Sequence, residues 1–222
     1  MIHVKFCGIR RPEDIEAVNR LRPDYAGFVF AKSKRQVTVE AVAGLKKQLD
    51  PEIKTVAVLV NMPVEEAAAL ANTGIADLLQ IHGDENADYI AALRKLTRAK
   101  IIKAIRLQGN EDDQIRLKEA EQADFYLFDT FITNAYGGTG KTFSLSLLTR
   151  VPVDKPFFLA GGLDADNVAG IIGQIQGDEK LLPCFYGVDV SGGIETDGCK
   201  DSKKMEAFMK AILGKEKKGC VS

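Results

Sequence analysis

The strongest limit on how this chain folds is a repeat of pattern rather than of residues. Eight short apolar runs occupy 3–7, 25–30, 54–60, 77–81, 100–106, 124–129, 156–160 and 186–190. They are rich in Val, Ile, Leu and Phe and have the length of buried strands. Between them, 12–22, 39–49, 64–73, 86–97, 112–122, 145–150 and 165–174 carry apolar residues at helical spacing. One more such segment, 202–213, follows the last run. Pro12 with Glu13 and Asp14, and Pro63 with Glu65 and Glu66, are good first turns, and Asp164 can cap the helix that follows it. The runs recur at the spacing of βαβ units, in which a helix carries the chain back to start a parallel strand. Eight units without a linker predict one α/β domain, a (β/α)₈ TIM barrel over 1–214, with a polar tail over 215–222. An open doubly wound sheet is the alternative. It usually puts a Gly-rich phosphate loop after its first strand, and here that strand leads into Cys7-Gly8-Ile9-Arg10-Arg11.

A closed barrel gives the polar motifs a meaning, because nearly all of them fall at the C-terminal ends of the runs. These ends are Cys7-Gly8, His82-Gly83-Asp84, Asp129-Thr130, Gly161-Gly162 and Ser191-Gly192-Gly193. In a parallel barrel they meet at one rim, where such folds do chemistry. Side chains alternate along a strand, so Lys5 lies beneath Cys7, Gln80 beneath His82 and Asp189 beneath Ser191. A buried Lys5 needs a carboxylate partner, and parity nominates Asp189.

Cys7 can be an inert small hydrophobe, but at a strand end before glycine it can serve as a base. Asp129 can be a turn former or a general acid or base. Gly161-Gly162 and Ser191-Gly192-Gly193 bring backbone N–H groups close to an anion and make a phosphate site after strands seven and eight. Ile194-Glu195 can begin a short helix that completes it. Arg35 lies just beyond strand two, where it can hold a carboxylate through two hydrogen bonds. His82 is equally a structural or a catalytic histidine. The segment 136–142 resembles a nucleotide-binding loop, but Ala135 stands where that loop requires glycine. It reads as a Gly-rich turn or as a loop that folds over a substrate.

Bulk properties narrow the partners. A net charge of −1 over 222 residues gives no general pull toward nucleic acid or acidic membrane. No apolar stretch is long enough to span a bilayer. Four cysteines without a C-x-x-C pair, and two histidines, make neither a disulfide framework nor a zinc site. The run that opens at His3 leaves no room for a targeting peptide ahead of it, so a cytoplasmic address is expected.

The ordered motifs resemble the phosphoribosylanthranilate isomerases of tryptophan biosynthesis. They are Lys5-Phe6-Cys7-Gly8-Ile9, Gly27-Phe28-Val29-Phe30 with Ser33-Lys34-Arg35, and Val58-Leu59-Val60-Asn61. Gln80-Ile81-His82-Gly83-Asp84-Glu85, Asp129-Thr130 and Gly137 to Phe143 follow. Leu159-Ala160-Gly161-Gly162-Leu163 and Gly187-Val188-Asp189-Val190-Ser191 complete the set. The resemblance implies an Amadori rearrangement of N-(5-phosphoribosyl)anthranilate without metal or organic cofactor, by a monomer or a homodimer. It puts the general base on Cys7, the general acid on Asp129 and the anthranilate carboxylate on Arg35. It puts the phosphate on Gly161, Gly162, Ser191 and Gly192, with His82 and Asp189 also lining the substrate.

Three departures from the family pattern stand out. Arg10 replaces a common threonine, either to stabilise a Cys7 thiolate or to face solvent. A glycine stands in the Ser191-Gly192-Gly193 turn where a second serine is common. The segment after Phe30 is one residue short, which bears on the placement of Arg35. Two other readings remain at this stage: an aldolase or epimerase of sugar phosphates, which needs a rim lysine or metal ligands, and a non-catalytic binder of phosphorylated ligands.

Overall fold

The computed structural model describes residues 1–129 and 145–216. It contains a closed barrel of eight parallel strands in sequence order. The strands are β1 His3–Cys7, β2 Tyr25–Val29, β3 Lys54–Leu59, β4 Leu78–Ile81, β5 Lys100–Arg106, β6 Phe125–Asp129, β7 Phe157–Ala160 and β8 Phe185–Val190. Strand β8 closes the ring on β1, with Lys5 opposite Asp189. Each strand begins and ends within one residue of the run that foretold it.

Helices α1 Pro12–Leu21, α2 Val39–Lys46, α3 Val64–Asn72, α4 Ala87–Leu96 and α5 Asp112–Glu119 follow the first five strands. Helix α6 Val168–Gln176 follows β7, and α7 Ser202–Glu216 follows β8 and reaches two residues into the segment assigned to the tail. The rest of that tail, 217–222, lies outside the described residues.

Two helix expectations need correction. The segment Leu145–Arg150 is a 3₁₀ helix, too short to bury a helical face as its sisters do. Helix α6 starts three residues later than expected. Asp164 does receive backbone N–H groups, from Asp166 and Asn167, but Asn167 Oδ1 returns a bond from the Asp164 N–H. This exchange closes a separate turn, and the helix begins only beyond it.

The runs are apolar throughout because each strand is buried on both faces. Outward-facing side chains such as Phe6, Phe28, Leu79, Ile101 and Phe128 pack against the helices. Inward-facing Val56, Leu78, Ile102, Phe125, Leu127 and Phe158 fill the barrel. Its N-terminal end is plugged by rings: His3 stacks on Tyr186 at 4.1 Å, and the hydroxyls of Tyr25 and Tyr186 meet at 2.7 Å. The plug leaves the C-terminal rim as the open end. Among the described residues, no helix is long and apolar enough to cross a membrane.

Candidate active site

The open rim encloses a cavity of about 680 Å³, within the range of small-molecule sites. Cys7, Arg35, His82 and Asp129 line it, and so do Gly161, Gly162, Asp189, Ser191 and Gly192. The nine residues given catalytic or binding roles from the sequence therefore share one space. Thr130 and the Gly-rich segment 136–142 lie outside the described residues.

Cys7 and Asp129 end strands β1 and β6, which β7 and β8 separate around the ring. The two side chains thus approach the cavity from different sides. Lys5 lies beneath Cys7, fully buried, and its Nζ donates to Asp189 Oδ1 at 2.9 Å. The partnership expected from strand parity is present. Burial alone would push Lys5 down, but Asp189 and Cys7 outweigh it and hold the ammonium above its ordinary value. Burial pushes the Cys7 thiol up; Lys5 and Lys200 oppose this, and Asp189 adds to it.

His82 is held from below. Gln80 Nε2 donates to His82 Nδ1 at 2.8 Å, which leaves the ring proton on Nε2, 4.0 Å from Asp129 Oδ2. Burial pushes the imidazole below its ordinary value; Asp129 and Asp189 oppose this, and Lys5 and Arg106 add to it. His82 is therefore a neutral donor pointed at the carboxyl.

The two glycine turns are shaped for an anion. Gly161 and Gly162 adopt φ of 94° and 66°, the left-handed region in which glycine carries no Cβ penalty. A side chain at Gly193 would overlap the Leu163 carbonyl, so that glycine lets the two turns pack backbone to backbone. A side chain at Gly192 would have only Arg35 Nη2 nearby, at 3.8 Å, so glycine is not sterically required there.

Two expectations change. Ile194-Glu195 does not begin a helix: a 3₁₀ turn spans Gly192–Ile194, and Glu195 enters a short strand, β9 Glu195–Thr196, paired with β10 Cys199–Lys200. The turn between them is Asp197-Gly198, both at positive φ, a hairpin signal readable from sequence. Arg10 neither faces Cys7 nor points away into solvent. It donates to the carbonyls of Lys34 and Gly198, each at 3.0 Å, and ties the loops together. Lys103, on β5, donates to the Gly83 carbonyl at 2.7 Å and to Glu85 at 3.3 Å. It does not line the cavity, so it offers no amine to a substrate there.

Sequence reasoning also missed two functional neighbours. Glu195 accepts from Arg35 Nε at 2.6 Å and Nη2 at 2.8 Å, and Lys200 Nζ donates to it at 2.9 Å. Burial would raise the Glu195 carboxyl, but hydrogen bonds from Arg35 and Lys200 hold it down to about 2. Among the described residues, no cluster of His, Cys, Asp or Glu could hold a metal ion.

Residues 4–211 match the family model described as N-(5'-phosphoribosyl)anthranilate isomerase. The chain belongs to the phosphoribosylanthranilate isomerase family. A family member from Thermoanaerobacter sp. strain X514 is 48% identical, over 96% of this chain and 99% of its own. The crystal structure of the Thermotoga maritima isomerase superposes with a TM-score of 0.80 at 32% identity, covering 96% of this chain and all of that one. An isomerase in complex with reduced 1-(o-carboxyphenylamino)-1-deoxyribulose 5-phosphate superposes at 0.77, with 31% identity and the same coverage.

Proposed function

We infer that this chain converts N-(5-phosphoribosyl)anthranilate to 1-(2-carboxyphenylamino)-1-deoxyribulose 5-phosphate, a step of L-tryptophan biosynthesis. Membership of the isomerase family along nearly the whole chain carries the reading. The chemistry of the cavity supports it.

In this reading Asp129, in its protonated form, gives a proton to the furanose ring oxygen. The C1–O bond breaks, and the nitrogen lone pair forms a C=N iminium. Cys7, as thiolate, then takes the proton from C2, and those electrons close a C1–C2 double bond and neutralise the iminium. The enolamine gains a proton at C1 and loses one from the C2 hydroxyl, which gives the ketone. Every change is a proton transfer or a shift of electron pairs inside the substrate, so the reaction balances without a co-reactant. The iminium acidifies the C2–H bond, so a thiolate is strong enough to remove the proton. Its generation is the harder part, because burial favours the thiol, and Lys5 and Lys200 are the cations that offset this.

Arg35 holds the anthranilate carboxylate, and Gly161, Gly162, Ser191 and Gly192 hold the phosphate by backbone N–H groups, while the Ser191 hydroxyl donates to the Cys7 carbonyl at 3.0 Å. His82 Nε2 faces Asp129 at 4.0 Å and lines the substrate beside it, and Asp189 fixes Lys5 below the ribose. These roles require one small phosphorylated substrate, no nucleic acid and no membrane, and we place the enzyme in the cytoplasm. The named rim residues all come from one chain, so a monomer carries a full set and a homodimer carries two.

The test is turnover of the fluorescent substrate by Cys7→Ala and Asp129→Asn, with circular dichroism to show that both remain folded. Each variant is expected to lose about 10²–10⁴-fold in kcat. Near-normal turnover by either removes that residue from the mechanism.

A further inference from the structure

Glu195 has no part in the proton transfers, yet its carboxylate accepts three charge-assisted hydrogen bonds at the rim. Its side chain is only 7% exposed. Oε1 accepts from Arg35 Nε and Lys200 Nζ, and Oε2 accepts from Arg35 Nη2, with Lys34 Nζ at 3.9 Å. Lys200 is anchored in turn, donating to the Ser191 carbonyl at 3.0 Å and to the Ser191 hydroxyl at 3.3 Å.

A guanidinium offers five N–H groups in one rigid plane, arranged as a side-on pair from Nε and one Nη and an end-on pair from the two Nη atoms. Glu195 takes the side-on pair and leaves the end-on pair for a second planar carboxylate. The stem of Arg35 crosses Gly8, where any side chain would crowd Arg35 Cδ and where φ is +83°. The guanidinium is therefore fixed along its stem by Gly8 and along one edge by Glu195. The cluster still attracts an anion. Arg35 and Lys200 carry two positive charges against the one negative charge of Glu195, and Lys34 adds another at its border.

We propose that Glu195 is a positioning residue for substrate selection, holding the side-on edge of Arg35 so that its end-on edge meets the ring carboxylate of a 2-carboxyphenylamine. The proposal rests on the isomerase reading above. It predicts that the chain prefers a carboxylated aryl amine over the unsubstituted one, and that the preference depends on Glu195.

The experiment measures binding of two probes by calorimetry. One is reduced 1-(o-carboxyphenylamino)-1-deoxyribulose 5-phosphate, and the other is the same molecule without the ring carboxylate. Glu195→Gln is expected to weaken the first by about tenfold, the scale of a charge-assisted hydrogen bond, and to leave the second within about twofold. In turnover, KM for the carboxylated substrate rises more than kcat falls. Glu195→Asp keeps the charge beside Lys200 but retracts the carboxylate from Arg35. It is expected to show the same selective loss, and it serves if the glutamine variant does not fold. Equal weakening of both probes, or no weakening of either, overturns the assignment of Glu195 while the isomerase reading stands. A wild-type chain that binds both probes equally overturns the role given to Arg35 and this inference with it.

Discussion

Replacing Lys5 by methionine isolates the electrostatic core of the barrel. Lys5 is fully buried, and its ammonium lies 2.9 Å from Asp189 Oδ1, a carboxylate that is itself only 7% exposed. Methionine has nearly the same length, so the change opens little cavity and mainly strips Asp189 of its counter-charge. Breaking a buried pair by removing one partner costs about 3–5 kcal/mol. For a domain of this size each kcal/mol is worth about 2–4 °C of Tm, so the melting point should fall by about 6–20 °C. Replacing both partners, Lys5→Met with Asp189→Asn, removes the stranded charge and should recover much of that loss. Urea unfolding followed by circular dichroism reads both changes as shifts in midpoint at constant slope. The single variant should also move the ionisation of Cys7, read from the pH dependence of its alkylation, to higher pH, because Lys5 is the leading influence that lowers the Cys7 thiol. A loss under about 1 kcal/mol for Lys5→Met, or a double variant less stable than the single, would refute the reasoning.

Two further outcomes follow from the rim. Burial holds the Cys7 thiol above its ordinary value, so in a chain whose other three cysteines are serine the rate of Cys7 alkylation by iodoacetamide should still be climbing beyond about pH 9. A plateau of that alkylation rate reached at neutral pH would show that the thiol is not raised. Gly193→Ala should force the two glycine turns apart, costing about 1–3 kcal/mol of stability and raising KM for the phosphorylated substrate more than for a dephosphorylated analogue. Unchanged KM would show that their contact does not shape the phosphate site.

The barrel was legible in the sequence because each strand is buried on both faces, so its run is continuous. The Lys5–Asp189 pair was legible for a related reason. Strand parity puts both charges inside, and a buried ammonium admits few solutions. Less was legible where local chemistry competes with periodicity. At 164–167 the side chains of Asp164 and Asn167 bond to each other's backbone and delay α6. At 145–150 the apolar pattern suits a helix but the segment winds as a single 3₁₀ stretch. Contacts between distant residues were least accessible. Glu195 meets Arg35 across 160 positions, and no local pattern reports that pairing. The Asp197-Gly198 turn signalled a hairpin that would have placed Lys200 beside Glu195. Arg10 shows the converse limit: its charge and its nearness in sequence to Cys7 suggested a thiolate partner, while its side chain reaches the carbonyls of Lys34 and Gly198 instead.

The isomerisation depends on Cys7 and Asp129 acting on one pentose. A crystal structure of the chain with reduced 1-(o-carboxyphenylamino)-1-deoxyribulose 5-phosphate bound tests this most directly. The sulfur of Cys7 should lie against C2 of the sugar and the Asp129 carboxyl should lie on its other side, toward the former ring oxygen, with the phosphate on Gly161, Gly162, Ser191 and Gly192. A ligand bound with either side chain out of contact with the sugar would contradict it.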